Sequence, residues 1–84
     1  MVDPKRKKRD RLAIQRDILL AAKGGANKTR LVYQSNLNFV NIEHHLKDLI
    51  DRGFLVDQSD GIYFVTPEGL SFARRYTKLE REAL

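Results

Sequence analysis

The feature that most constrains this chain is the junction at Gly53. Before it, Phe39, Ile42, Leu46, Leu49 and Ile50 recur at spacings of 3, 4, 3 and 1 residues, the signature of one apolar helical face. After it come Phe54-Leu55-Val56 and Ile62-Tyr63-Phe64-Val65, two runs rich in strand formers, parted by Asp57-Gln58-Ser59-Asp60-Gly61. An Asp-Gly end between two such runs predicts a hairpin with a five-residue tip. Residues 39–52 therefore read as a helix that glycine stops and a small hairpin follows.

The flanks complete the plan. Ile14, Ile18 and Ala22 repeat every fourth residue, with Leu12 and Leu19 beside them, and predict a first helix over 11–23 that Gly24-Gly25 ends. Leu20 and Ala13 point off that stripe, so this helix is expected to be covered on a second side. Asn27 suits the N-cap of a short helix over 28–34, with Leu31 and Val32 inward. Ser35-Asn36 is turn chemistry, Leu37 is apolar enough to plug the core, and Asn38 suits the next cap. Thr66-Pro67-Glu68 is a helix start, with threonine capping, proline in the first turn and glutamate at the positive helix end. That helix runs from about 67 to the terminus. Helix, helix, tight turn, helix, hairpin, helix is the order of a winged helix-turn-helix: mainly α, three helices, a two-stranded wing and a C-terminal helix. The expected division is a basic arm over 1–10, the winged domain over 11–66 and the last helix over 67–84.

Charge narrows the partners. The 84 residues carry 16 Lys and Arg against 11 Asp and Glu, a net of +5. Residues 1–11 alone hold a net +4, which leaves the other 73 nearly neutral at +1. A run of like charges reads as a solvated tail or an interaction arm. Asp3-Pro4 offers a helix start that would take the first helix through this run, but successive cations repel, so a mobile arm with Asp10 as the cap is the preferred reading. The absence of cysteine excludes a disulfide framework, a thiolate metal site and a cysteine nucleophile. No apolar run approaches the ~20 residues of a membrane helix, and no apolar leader core follows the basic start. A cytoplasmic, nucleoid-associated domain without membrane contact is expected.

Three stretches bear a family resemblance. Lys28-Thr29-Arg30-Leu31-Val32-Tyr33 followed by Asn36-Leu37-Asn38 resembles a segment of a family of small archaeal winged-helix DNA-binding proteins of about ten kilodaltons. Leu46 to Leu55, with its leucines and Gly53, resembles the end of that family's recognition helix. Tyr63-Phe64-Val65-Thr66-Pro67-Glu68-Gly69 resembles its entry into the last helix. The likeness spans roughly residues 12–79. It implies sequence-tolerant or regulatory binding of double-stranded DNA by a homodimer, paired through an antiparallel coiled coil of the last helix.

Candidate contacts follow from the plan. Phosphate contacts are expected from Lys5, Arg6, Lys7, Lys8 and Arg9 of the arm. Lys28, Thr29 and Arg30 add to them at a helix N-terminus, where free N–H groups favour anions, and Lys47 adds another. The plainer reading of 28–30 is a solvated helix start. Asn38, Asn41, His44 and His45 lie in the first half of the third helix, the part that reaches base edges; for Asn38 the capping role comes first. His44 and His45 diverge by about 100° on a helix and make no metal site. Glu43, Asp48 and Asp51 oppose phosphate on the same helix, with Lys47 or Arg52 as expected partners for the aspartates. The wing tip carries two acids and no cation, leaving Gln58 and Ser59 as its donors. Phe72, Tyr76, Leu79 and Ala83 form a seam on the last helix suited to a dimer; Leu70, Ala73, Thr77 and Leu84 form a weaker second stripe.

Two function classes stay open on the residues alone: a dimeric DNA-binding regulator or chromatin-type protein, and a protein-interaction winged helix within a larger assembly. An enzyme is disfavoured. The sequence has no convergent nucleophile and base, no phosphate-cradling glycine loop and no metal quartet, so no cofactor is expected. Whether a small effector binds is not legible.

Overall fold

A computed structural model describes residues 10–83. Helix α1 spans Arg11–Ala21, strand β1 Ala26–Asn27, α2 Lys28–Ser35, α3 Phe39–Asp51, β2 Leu55–Gln58, β3 Ile62–Val65 and α4 Pro67–Glu82. The arm cations Lys5, Arg6, Lys7, Lys8 and Arg9 lie outside the described residues.

Local chemistry sets each helix start. The side chains of Asp10, Asn27, Asn38 and Thr66 accept hydrogen bonds from the backbone N–H groups of Ala13, Arg30, Asn41 and Gly69, each satisfying one of the donors a helix start leaves over. All four caps match the sequence reading. Helix α1 stops at Ala21, two residues early, because Ala22 already leaves the helix and its N–H closes the last turn. Helix α2 runs one residue longer than expected and takes Ser35, which is buried. Asn36 then supplies the left-handed turn at φ 56°.

The wing is larger than the sequence suggests. Two-residue β1 adds to the hairpin, giving an antiparallel sheet in the order β1-β3-β2 with Ala26 opposite Tyr63 and Leu55 opposite Val65. A strand of two residues has no periodicity to read, and Asn27 serves both as its end and as the cap of α2. Gly25 makes the approach possible. It sits at φ +97°, and a Cβ there would lie 2.7 Å from the Phe64 ring.

Ile18, Leu19, Leu31, Ile42, Leu49 and Leu55 are wholly buried and join α1, α2, α3 and the sheet in one core. Ala13, placed off the stripe by spacing, is buried as well, whereas Leu20 stays exposed. Phe39 and Ile50 leave the expected core face of α3. They lie on the flank of the Ile42, Leu46, Leu49 line, and Phe39 is 53% exposed. Leu37 packs against the core as expected. Helix α4 lies against α1 with Gly69 and Ala73 buried. A Cβ on Gly69 would collide with the Phe54 carbonyl, so only glycine lets α4 start this close to β2. Thr66 fixes the same corner, its hydroxyl donating to the Gly53 carbonyl at 2.7 Å while its N–H reaches the Phe54 carbonyl.

Candidate nucleic-acid interface

Helices α2 and α3, joined by the turn at Asn36, form the helix-turn-helix. The apolar side of α3 is fixed by Ile42, Leu46 and Leu49. At 100° per residue the opposite side is Val40, Asn41, His44, Lys47, Asp48 and Asp51, and all but the half-buried Asp48 are exposed. On α2, burial of Leu31, Val32 and Ser35 turns Thr29, Arg30 and Tyr33 outward.

Two of the three carboxylates that oppose phosphate are paired with cations of this chain, and Asp51 stays exposed. Glu43 accepts a hydrogen bond from the Lys28 ammonium in an ion pair across α2 and α3. That bond comes first among the causes that raise the Lys28 pKa. Lys28 is thus not the free phosphate ligand its position suggests: it neutralises an acid on α3. Asp48 receives Gln15 Nε2 at 2.7 Å and Arg11 Nη2 at 2.8 Å, with Arg52 Nη1 at 3.5 Å. The hydrogen bond from Gln15 leads the causes that lower its pKa. Of the two partners expected from spacing, Arg52 is present and Lys47 is not. The larger correction is Gln15, a wholly buried polar residue to which the sequence assigned no role. It donates to Asp48 and accepts from Arg52 at 2.9 Å, so one amide joins two ends of a charged cluster and ties α3 to α1.

His45 belongs to this cluster and not to the outward face. It is half-buried, with Nδ1 3.4 Å from Gln15 Nε2. Burial lowers its pKa first, and the nearby Arg11 charge adds to that. Asn38 is a cap, its Oδ1 2.8 Å from the Asn41 N–H. What remains outward on the first turns of α3 is Val40, Asn41, His44 and Lys47. Arg30 and Lys47 make no ion pair among the described residues. At the wing, Gln58 is exposed at the end of β2, Ser59 opens the tight turn Ser59–Gly61, and Asp60 takes φ 73°.

The expected dimer seam splits. Phe72 stacks on Phe54 with ring centroids 5.1 Å apart, and the Arg52 guanidinium lies over both rings. The Tyr76 hydroxyl donates to Asp10 at 3.0 Å, and its ring lies beneath Arg16. These two residues pack on their own domain because α4 must cover α1. Leu79, 63% exposed, and Ala83 stay uncovered.

Comparison with known proteins agrees with this geometry. The uncharacterized protein MJ0290 of Methanocaldococcus jannaschii is 35% identical over 63 residues, which are 74% of this chain and 29% of that protein. The chain thus spans less than a third of the length of that relative. Among solved structures, Sso10a-2, a DNA-binding protein from Sulfolobus solfataricus, superposes with a TM-score of 0.77 over 89% of this chain and 85% of its own, at 23% identity; this is a likeness of fold. A model of the winged helix-turn-helix family matches residues 8–84, nearly the whole chain. The hairpin after α3, the caps that place α2 and α3, and that match have one reading: the chain belongs to the winged helix-turn-helix family.

Proposed function

We propose that this chain binds double-stranded DNA through α2 and α3 as a homodimeric transcriptional regulator or chromatin-type protein of the cytoplasmic nucleoid. One observation carries the reading. Glu43 and Asp48 are both paired with cations of this chain, so the stretch of α3 from Val40 to Lys47 offers a duplex Val40, Asn41, His44 and Lys47 with no uncompensated acid among them. The likeness of fold to Sso10a-2, itself a DNA-binding protein, supports it. Arg30 and Thr29 take phosphates beside the groove, Asn41 and His44 face base edges, and the cations of residues 5–9 add sequence-independent affinity. Gln58 and Ser59 make at most a light wing contact. The C-terminal helices pair around Leu79 and Ala83, with residues 11–66 as the reading unit.

Mobility-shift titration over a range of salt tests this. The logarithm of the association constant should fall linearly with the logarithm of salt. Absence of binding at low salt, or a flat dependence, overturns it. Sedimentation of the same protein should give a dimer that Leu79→Glu converts to monomer; a wild-type monomer refutes the pairing.

A further inference from the structure

Val40 is the anomaly on the outward face of α3. It is an apolar, β-branched residue 72% exposed in the first turn of the reading helix, and helix formation favours other residues at so open a place. Its neighbours along that face are Asn41, His44 and Lys47, all exposed and able to donate hydrogen bonds. Its own flanks carry no free acid, because Glu43 is held by Lys28. Apolar side chains at base edges have one natural ligand in the major groove, the C5 methyl of thymine, and asparagine has adenine N6 and N7.

We propose that Val40 is a specificity-determining residue that packs on a thymine methyl, with Asn41 beside it on adenine, so that the protein prefers A·T pairs at the point where α3 enters the groove. This rests on the DNA-binding reading above and gives that same site its base preference. Val40 and Asn41 are consecutive, so their side chains diverge by about 100° around the helix and reach neighbouring base pairs, not the same pair. The site therefore reads a short A·T step. Phe39, beside Val40 and half-exposed, widens the apolar edge.

The test uses the full chain and two duplexes of alternating sequence, one of dA and dT and one of dA and deoxyuridine. They differ only by the thymine methyl. Wild type should bind the uracil duplex roughly fourfold more weakly per contacted thymine, the size of one lost methyl burial. Val40→Ser, at a solvent-exposed position that leaves the core untouched, should bind both duplexes alike. Equal wild-type affinity for the two duplexes overturns the proposal while leaving DNA binding intact. An equal loss in wild type and Val40→Ser also overturns it, since the methyl then acts through the duplex itself. Binding to neither duplex at low salt refutes the DNA reading along with it.

Discussion

The two ends of α3 have similar polarity in sequence and opposite fates in the structure. Its last turns put Asp48 and Arg52 into a cluster with Arg11, Gln15 and His45 that locks the helix to α1. Its first turns put Val40, Asn41 and His44 in the open, on a helix start that the Asn38 side chain caps. Polar side chains at one end hold the helix still so that those at the other can be presented at a fixed angle. On the proposed DNA-binding reading, positioning and recognition are separated along thirteen residues, and substitutions at the two ends should fail in different assays.

Asp48→Ala is expected to have the largest effect, and on stability. It removes the acceptor shared by Gln15, Arg11 and Arg52 and leaves a buried amide donor without its best partner. That costs about 1–3 kcal/mol, or on the order of 4–8 °C in Tm for each kcal/mol in a domain of this size. Most of it comes from Gln15, because Arg11 is exposed and an exposed pair contributes little. Urea unfolding measures the loss, and DNA affinity should be nearly unchanged at a temperature where the variant is folded. A variant as stable as wild type would break the division between the two ends. Lys47→Ala is the converse. It should leave the unfolding midpoint within about 0.5 kcal/mol and lower the salt slope of duplex binding by about one. A stability loss without a change in slope would assign Lys47 to the scaffold.

The same division explains what was legible in the sequence. Caps and core were, because Asp10, Asn27, Asn38 and Thr66 act on N–H groups three residues away and Ile42, Leu46 and Leu49 obey one period. The positions on the outward face were equally periodic, so Asn41, His44 and Asp51 are exposed where spacing puts them, whereas Asp48, on the same face by spacing, is drawn back to Gln15 and Arg11. Pairings across the fold were not legible. Lys28 with Glu43 is 15 residues apart and Gln15 with Asp48 is 33, and no local rule fixes such partners. Hence the acids of α3 read as an obstacle to DNA when two of them are already neutralised, and His45 read as a base contact when its ring is turned to α1. Strand β1 was missed because two residues in register with Tyr63 and Ile62 carry no pattern of their own. On α4, one stripe was offered to a partner, yet burying α1 claims Phe72 and Tyr76 first.

The smallest expected effect is a pH dependence of the clamped end. The folded state holds the His45 pKa below its ordinary value, by burial first and by Arg11 and His44 after it, with Asp48 pulling the other way. The unfolded chain, with a pKa of about 6.5, therefore binds the proton more readily than the folded one. Stability from this residue is complete above about pH 6.5 and declines as pH falls through that value toward the lower folded one. Carboxylates do not confuse this window: Asp48 and Asp10 are held below the ordinary carboxylate range, so their stabilising contributions persist down to about pH 4. The urea midpoint of wild type should fall between about pH 7.5 and 5.5, and His45→Gln, which keeps a polar group beside Gln15, should flatten that fall. If the two proteins lose stability in parallel, the titrating group lies elsewhere. If duplex binding by His45→Gln also weakens at neutral pH, His45 reaches the DNA and the boundary between the two ends of α3 moves one turn toward its C-terminus.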